Sequence, residues 1–227
     1  MYVDFHSHIL PCADHGSDGI ETSCKQLQNA ISAGVDTIVA TPHFYLDSDT
    51  TEEFLARRDR AYEELVRQEL HGVTIIPAAE VTIFMGLETL EGLEKLCIGD
   101  TNYILLELPP EPWSVWIQET VYKIAALRHL RPICAHIDRY SPSGCEKMLN
   151  MGANIQLNAE ALLTNLRTRQ RFESLISEGC IHVLGSDAHG DGEAAYKNFA
   201  HAMKRLGSMA EQLTNNARKI LSGDFID

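Results

Sequence analysis

The histidines and carboxylates of this chain stand out by their spacing. His6 and His8 are separated by one residue, as are Asp187 and His189, and on an extended segment side chains two apart point the same way. Between these pairs, His43, Glu80, Glu107 and His136 each sit at or near the end of a short β-branched or apolar run, and Asp14 and His15 follow in the loop after His8. An isolated His-x-His arises by chance on a surface strand. The joint pattern, with such groups at the same end of successive strands, is far more specific. Several carboxylates and imidazoles packed together need a counter-charge, so the pattern predicts bound divalent metal. At about four to six ligands per ion, allowing for bridging carboxylates and water, the set suffices for two or three ions.

The remaining histidines read as structural. His71 and His129 end helical stretches, where an imidazolium suits the negative end of a helix dipole; His182 starts a strand and His201 lies within a helix. Arg139 follows His136 by three residues. Its guanidinium suits a bidentate phosphate contact, with a salt bridge to Asp138 or to a neighbouring helix as the equal alternative.

The elements that must position these groups alternate along the chain. Seven strands are predicted, at 2–5, 37–41, 73–79, 103–108, 132–135, 154–157 and 181–185. Helical patterns lie between them at 21–33, 52–71, 87–96, 113–129, 143–151, 160–178 and 193–207, with a last helix near 209–222. Alternation of this kind denotes β-α units and a parallel sheet. No G-x-G-x-x-G or Walker-type loop follows any strand, and polar groups follow nearly every strand rather than two adjacent ones; both features favour a barrel mouth over an open nucleotide-binding sheet. The sixth strand ends at Asn158, a weak ligand. At 227 residues one domain over 1–227 is expected.

Composition narrows the function. With 19 basic and 32 acidic residues the formal charge is −13, which argues against a polyanionic partner such as nucleic acid. The apolar runs are short of a bilayer span and the N-terminus lacks a leader pattern, so a cytoplasmic location is expected. Six cysteines without a Cys-x-x-Cys pair do not suggest a disulfide framework or zinc ribbon. None has an arginine six residues on, the spacing of a cysteine-dependent tyrosine phosphatase.

The segments His6-Ser7-His8-Ile9-Leu10-Pro11, Ala40-Thr41-Pro42-His43, Tyr103-Ile104-Leu105-Leu106-Glu107, Ala135-His136-Ile137-Asp138-Arg139-Tyr140 and Gly185-Ser186-Asp187-Ala188-His189, with the Glu80 segment, resemble the motifs of the PHP (polymerase and histidinol phosphatase) domain family. More narrowly they are similar to the manganese-dependent tyrosine-protein phosphatases of bacterial capsule and exopolysaccharide loci. The likeness extends to Leu213-Thr214-Asn215-Asn216-Ala217-Arg218 and so covers nearly the whole chain. It implies a distorted (β/α)7 TIM-like barrel with a trinuclear centre, of Mn2+ or else of Fe or Zn, at the C-terminal ends of the strands. It assigns metal roles to His6, His8, His43, Glu80, Glu107, His136, Asp187 and His189 and phosphate binding to Arg139. Where the family usually has Asp-Asp-Gly, this chain has Asp14-His15-Gly16, which makes His15 the expected first-loop ligand and Asp14 the fallback. No arginine follows the Asp187-x-His189 motif in 190–198, only Lys197.

The expected reaction is phosphomonoester hydrolysis by a metal-bound hydroxide, with Arg139, His43 and His189 as catalytic residues and the leaving-group proton coming from water or a rim histidine. The resemblance implies a phosphotyrosyl protein as substrate, such as the tyrosine-rich tail of a bacterial tyrosine kinase. The alternatives are a small-molecule phosphatase acting on a histidinol-phosphate-like substrate, a phosphodiesterase, an amidohydrolase, and a non-enzymatic binding protein stabilised by metal.

Overall fold

A computed structural model describes residues 1–69 and 71–226. Its strands, in chain order, are β1 (Tyr2–Ser7), β2 (Val35–Ala40), β3 (His43–Phe44), β4 (Thr74–Pro77), β5 (Glu80–Thr82), β6 (Tyr103–Glu107), β7 (Arg131–Cys134), β8 (Asn154–Asn158) and β9 (Val183–Gly185). The helices are α1 (Ile20–Ser32), α2 (Thr51–Val66), α3 (Val115–Arg128), α4 (Pro142–Leu149), α5 (Leu166–Ser177), α6 (Glu193–Leu206) and α7 (Ser208–Leu221).

Every strand pairing is parallel, in a three-stranded sheet ordered β1-β2-β4 and a six-stranded sheet ordered β3-β5-β6-β7-β8-β9. β1 meets the segment that follows β9 at a bridge between Ser7 and Ala188, where Asp187 N donates to His6 O and His8 N to Ala188 O. The sheet is therefore curled, as the β-α alternation predicts. Its residues alternate between two apolar layers: Val39, Leu105, Ile133 and Val183 pack with Ala217 and Ile220 of α7, whereas Ile38, Leu106, Cys134 and Leu184 pack with the outer helices. This period-two division is what strands buried on both faces require.

Two of the nine strands among the described residues escape the sequence pattern. β3 is two residues long and follows Pro42, and the run at 73–79 breaks at Ala78-Ala79 before β5. A two-residue strand carries no periodicity to detect. The helix expected over 87–96 is instead two 3-10 turns, Leu87–Thr89 and Leu93–Leu96, each preceded by a glycine in the left-handed region (Gly86 φ 90°, Gly92 φ 75°). The stretch at 160–178 divides similarly into a 3-10 turn, Ala159–Leu163, and α5, because Asn165 caps α5 by accepting from Thr168 N. α2 starts at a capping box between Thr50 and Glu53 and ends at Val66, short of the expected 71; residue 70 lies outside the described residues. No helix among the described residues is long and apolar enough to cross a membrane.

Candidate metal centre

The sheet brings the sequence-predicted donors to one place. Glu80, fully buried on β5, is at its centre: Oε1 lies 2.7 Å from His136 Nε2, and Oε2 lies 3.2 Å from His6 Nε2, 3.1 Å from His43 Nδ1 and 3.4 Å from His8 Nε2. Asp187 Oδ1 stands 3.4 Å from His8 Nε2 and 3.7 Å from both His6 Nε2 and His189 Nδ1. Glu107 is 3.9 Å from His43 and from His136. Four overlapping groups result: His8, His43 and His189; His6, His8 and Asp187; His6, Glu80 and His136; His43, Glu80 and Glu107. Within each group the ligand atoms all lie within 4.8 Å of one another.

The donors fit divalent cations on local grounds. His6 Nε2 and His8 Nε2 face each other at 3.2 Å, an arrangement that wants a cation between or beside them. Among the described residues, His136 Nδ1 is buried without a hydrogen-bond partner, which is costly for a polar atom that binds nothing, and His43 Nδ1 faces Glu80 Oε2 at 3.1 Å without forming a hydrogen bond to it. The other nitrogens are already engaged: His8 Nδ1 is 2.7 Å from Asp14 Oδ2, His6 Nδ1 is 3.3 Å from Gln156 Oε1, and His189 Nδ1 is 3.1 Å from Asp187 O. Each of these partners accepts the Nδ1 proton and so leaves Nε2 free to ligate, the usual second-layer arrangement around metal-bound histidine.

The electrostatics of the protein alone are consistent with strong pairing. Burial would raise Glu80, but the His6 charge and hydrogen bonds from His136, His6 and His8 hold it well below the usual carboxylate range. Burial works against Asp187 in the same way, and His6, His8 and Arg139 push it far down. His8 is raised well above the usual imidazole value: its burial, which lowers it, is outweighed by Asp14, Asp187 and Glu80. Burial wins at His43, lowered to about 4 although Glu80 opposes it, and at His136 and His189, which are lowered too. Glu107 is raised by burial and by the neighbouring charge of Glu80.

The first loop divides the two alternatives there by geometry. Asp14 spends both oxygens on hydrogen bonds: Oδ2 accepts from His43 N at 2.9 Å as well as pairing with His8, and Oδ1 accepts from Gly16 N at 2.8 Å. His15 is exposed at the mouth, its ring stacked on His43 with centroids 4.9 Å apart and 5.0 Å from His189, outside the four donor groups. Gly16 permits this loop, because a Cβ there would collide with the Cβ and carbonyl of His8. Arg139 is half-exposed at the rim, in an ion pair with Asp187 and 3.9 Å from Glu107; among the described residues neither Asp138 nor a helix is its ion-pair partner. The four histidines read as structural lie outside the cluster: His129 is the left-handed C-cap of α3, and His182 Nδ1 accepts from Ile155 N.

Two supporting residues, Gln156 and Asp4, escaped the sequence reading, and a third, Asn158, entered it only as a weak ligand. Gln156 on β8 accepts His136 N at 2.7 Å through the same Oε1 that faces His6, and its Nε2 donates to Asn158 Oδ1 at 2.9 Å. Asn158 Nδ2 in turn donates to Asp187 Oδ2 at 3.1 Å, so β8 supplies a chain of amides joining three donors. Asp4 is fully buried and accepts from Ser186 N at 2.7 Å, Ser186 Oγ at 2.6 Å and His6 N at 3.3 Å. Their period-two spacing was visible, Gln156-x-Asn158 and Asp4-x-His6-x-His8, but amides and a strand-internal carboxylate do not announce a role. Two donors, His136 (φ 38°) and Asp187 (φ 52°), occupy the left-handed backbone region, a placement that side-chain-bearing residues hold only where the surroundings enforce it.

Fold and site together define an α/β protein with a cluster of imidazole and carboxylate donors at the strand ends and an arginine on its rim. Residues 2–222 match the family model described as "Capsular polysaccharide synthesis, CpsB/CapC", and the chain belongs to that family. It is 26% identical over 242 residues to the tyrosine-protein phosphatase YwqE of Bacillus subtilis (strain 168), covering 99% of this chain and 93% of that protein. Among solved structures it is similar to that of the work on YwqE from B. subtilis and CpsB from Streptococcus pneumoniae, described as unique metal-dependent tyrosine phosphatases. The TM-score is 0.81 at 23% identity, with 99% of this chain and 96% of that chain covered. The histidinol phosphate phosphatase of Lactococcus lactis subsp. lactis, solved with zinc, L-histidinol and phosphate, shares the fold at a TM-score of 0.55 and 14% identity, covering 91% of this chain and 94% of that one.

Proposed function

We propose that the protein is a metal-dependent phosphatase of phosphotyrosyl proteins, a single domain whose curled sheet is a distorted seven-stranded barrel. The observation that carries the reading is the convergence of five histidines and three carboxylates, His6, His8, His43, His136, His189, Glu80, Glu107 and Asp187, beside Arg139. These eight residues would hold two or three ions, with Mn2+ favoured by the family likeness, and Asp14 would act through His8. Bound divalent ions would supply positive charge for the phosphoryl oxygens and lower the pKa of water to about 7.

This chain's part is to orient and to bind. Arg139 offers a planar pair of donors for phosphoryl oxygens, and His43 and His189 complete the catalytic set at the mouth. Lys197, the basic residue of 190–198, pairs with Glu193 on α6 and leaves the guanidinium task to Arg139. Cys134, in β7 and near Arg139 in sequence, is ill suited to act as a nucleophile, because burial pushes its thiol up to about 12. A tyrosine-phosphorylated kinase tail is the partner the family favours.

The test is turnover of p-nitrophenyl phosphate and of phosphotyrosyl and phosphoseryl peptides after chelation and after restoring Mn2+, Fe2+ or Zn2+. Activity should vanish on chelation and return with metal, with the phosphotyrosyl peptide preferred; no turnover with any of the ions overturns the proposal. Replacing Arg139 with Ala should raise KM for the peptide about tenfold with a smaller change in kcat, the pattern of an interaction shared by ground and transition states. An unchanged kcat/KM would remove Arg139 from the site. A second reading, an amine-bearing small phosphoester, draws on the cleft of about 330 Å3 beside Arg139, which Glu160, Asp191 and Glu193 make acidic. Histidinol phosphate in the same assay decides between them.

A further inference from the structure

On the His43 and Glu107 side of the donor cluster lies a second cleft of about 410 Å3, lined by Tyr45, Leu46, Asp47, Thr82 and Phe84. Two of its walls are tied to metal-site residues. The Tyr45 ring stacks on His43 with centroids 5.0 Å apart and planes at 20°, and Thr82 Oγ1 donates to Glu107 Oε2 at 2.9 Å. The cleft therefore borders the donor cluster through these two contacts.

The loop that forms its outer wall is braced. Ser48 N and Asp49 N both donate to Tyr45 O at 3.1 Å. The Arg57 guanidinium grips both oxygens of Asp49 at 2.6 and 2.7 Å and donates through Nε to Ala13 O at 2.7 Å, which fastens this loop to the first loop next to Asp14. Leu46 is nevertheless 45% exposed, and Met85, next to Phe84, is 72% exposed. A single exposed leucine is unremarkable. A leucine, a phenylalanine and a tyrosine around one cleft, on a loop held by a bidentate ion pair and bordering a cluster of metal donors, make a preformed apolar slot of the kind that ligand sites use.

We propose that this cleft is the subsite for the aromatic ring of the substrate, a phosphotyrosyl side chain in a peptide, with Leu46 and Phe84 as the residues that set the preference for an aryl ester. The inference rests on the phosphatase reading and adds to it which residues recognise the leaving group. The occupant follows from the lining. Sugar hydroxyls would lose hydrogen bonds against Leu46 and Phe84, and Asp47 repels the further phosphates of a nucleotide. A flat aromatic ring suits a cleft lined by Tyr45, Leu46 and Phe84, and the contacts of Tyr45 to His43 and of Thr82 to Glu107 put its ester end on the side of the cluster.

The experiment compares phenylphosphonate with methylphosphonate, which share the anionic head and differ in the ring, by calorimetry on the Mn2+-loaded protein. Wild type should bind the phenyl compound about tenfold or more tightly, the usual worth of filling a small apolar pocket. Leu46→Ala and Phe84→Ala should each shrink that ratio at least about threefold while metal content, read by mass spectrometry, is retained. Leu46 is exposed, so its variant keeps the test valid if Phe84→Ala does not fold. A phenyl preference unchanged in a folded variant set, or absent in wild type, overturns the subsite. Turnover of the phosphotyrosyl peptide, measured in parallel, reports separately on the phosphatase reading: turnover with no ring preference sinks the subsite alone.

Discussion

Replacing Glu80 with Gln should strip the protein of metal and activity together. Glu80 is 1% exposed and contacts four imidazoles, His6, His8, His43 and His136, at 2.7 to 3.4 Å. Ions held through this residue lose a carboxylate ligand, and removing one partner from a buried charge pair costs about 3–5 kcal/mol of folding stability. The metal-free protein should be weakened as well. Glu80 is depressed in the folded state, so its stabilisation is present above the ordinary carboxylate range and is lost only as pH falls through the lower folded value; at neutral pH the variant forfeits all of it. The raised His8 has the opposite sign: its contribution is full below the ordinary imidazole value and fades as pH rises through the folded one. Metal uptake must displace that proton, so affinity should strengthen with rising pH. Metal content after dialysis and thermal unfolding in chelator measure both effects, and a fully loaded variant with the wild-type midpoint would show that Glu80 is not central.

Asp4→Ala should be nearly as damaging although Asp4 touches no ion site. Its carboxylate joins the start of the chain to Ser186, immediately before Asp187, and steadies His6 N. Burial pushes the carboxyl up and the Ser186 bonds pull it back, so the interaction depends on the whole pocket. The substitution orphans the Ser186 N–H and frees its hydroxyl; buried donors left unpaired cost about 1–3 kcal/mol each. At about 2–4 °C per kcal/mol for a chain of this size, the unfolding midpoint should drop by about 10 °C. Metal affinity should fall about 10–100-fold, as when other outer partners of ligands are lost. Asp4→Asn retains one acceptor and should be intermediate. A wild-type midpoint for Asp4→Ala would end this account.

The donors were legible because they contradict the pattern around them. A carboxylate or imidazole at the end of an apolar run, as at Glu80 or His136, is a misfit unless something binds it, and period-two spacing made His6-x-His8 and Asp187-x-His189 visible as pairs. The alternating elements likewise betrayed a curled parallel sheet. What could not be read depended on loop shape. Whether Asp14 or His15 turns inward follows from the tight approach of Gly16 to His8, which no spacing expresses. Gln156 matters only because Gly185, where a Cβ would sit 2.5 Å from His6 Cβ and 2.9 Å from Gln156 Nε2, lets three strands close around it. The 3-10 turns at 87–96 arose where Gly86 and Gly92 in the left-handed region broke an apolar period, and the two-residue β3 is defined by its pairing with the distant β5 rather than by any local pattern.

The bridge between Ser7 and Ala188 has a consequence for how the molecule comes into being. The first and last donor pairs are brought together by bonds such as that of Ser186 to Asp4, 182 residues apart in sequence. A ribosome delivers the N-terminal histidines long before their partners, at about 5–20 residues per second, and contacts of such separation are the slow ones to form. Capture of ions by the full donor set would therefore wait for the last part of the chain, and a chain that stops before Asp187 would lack the residues that complete the site.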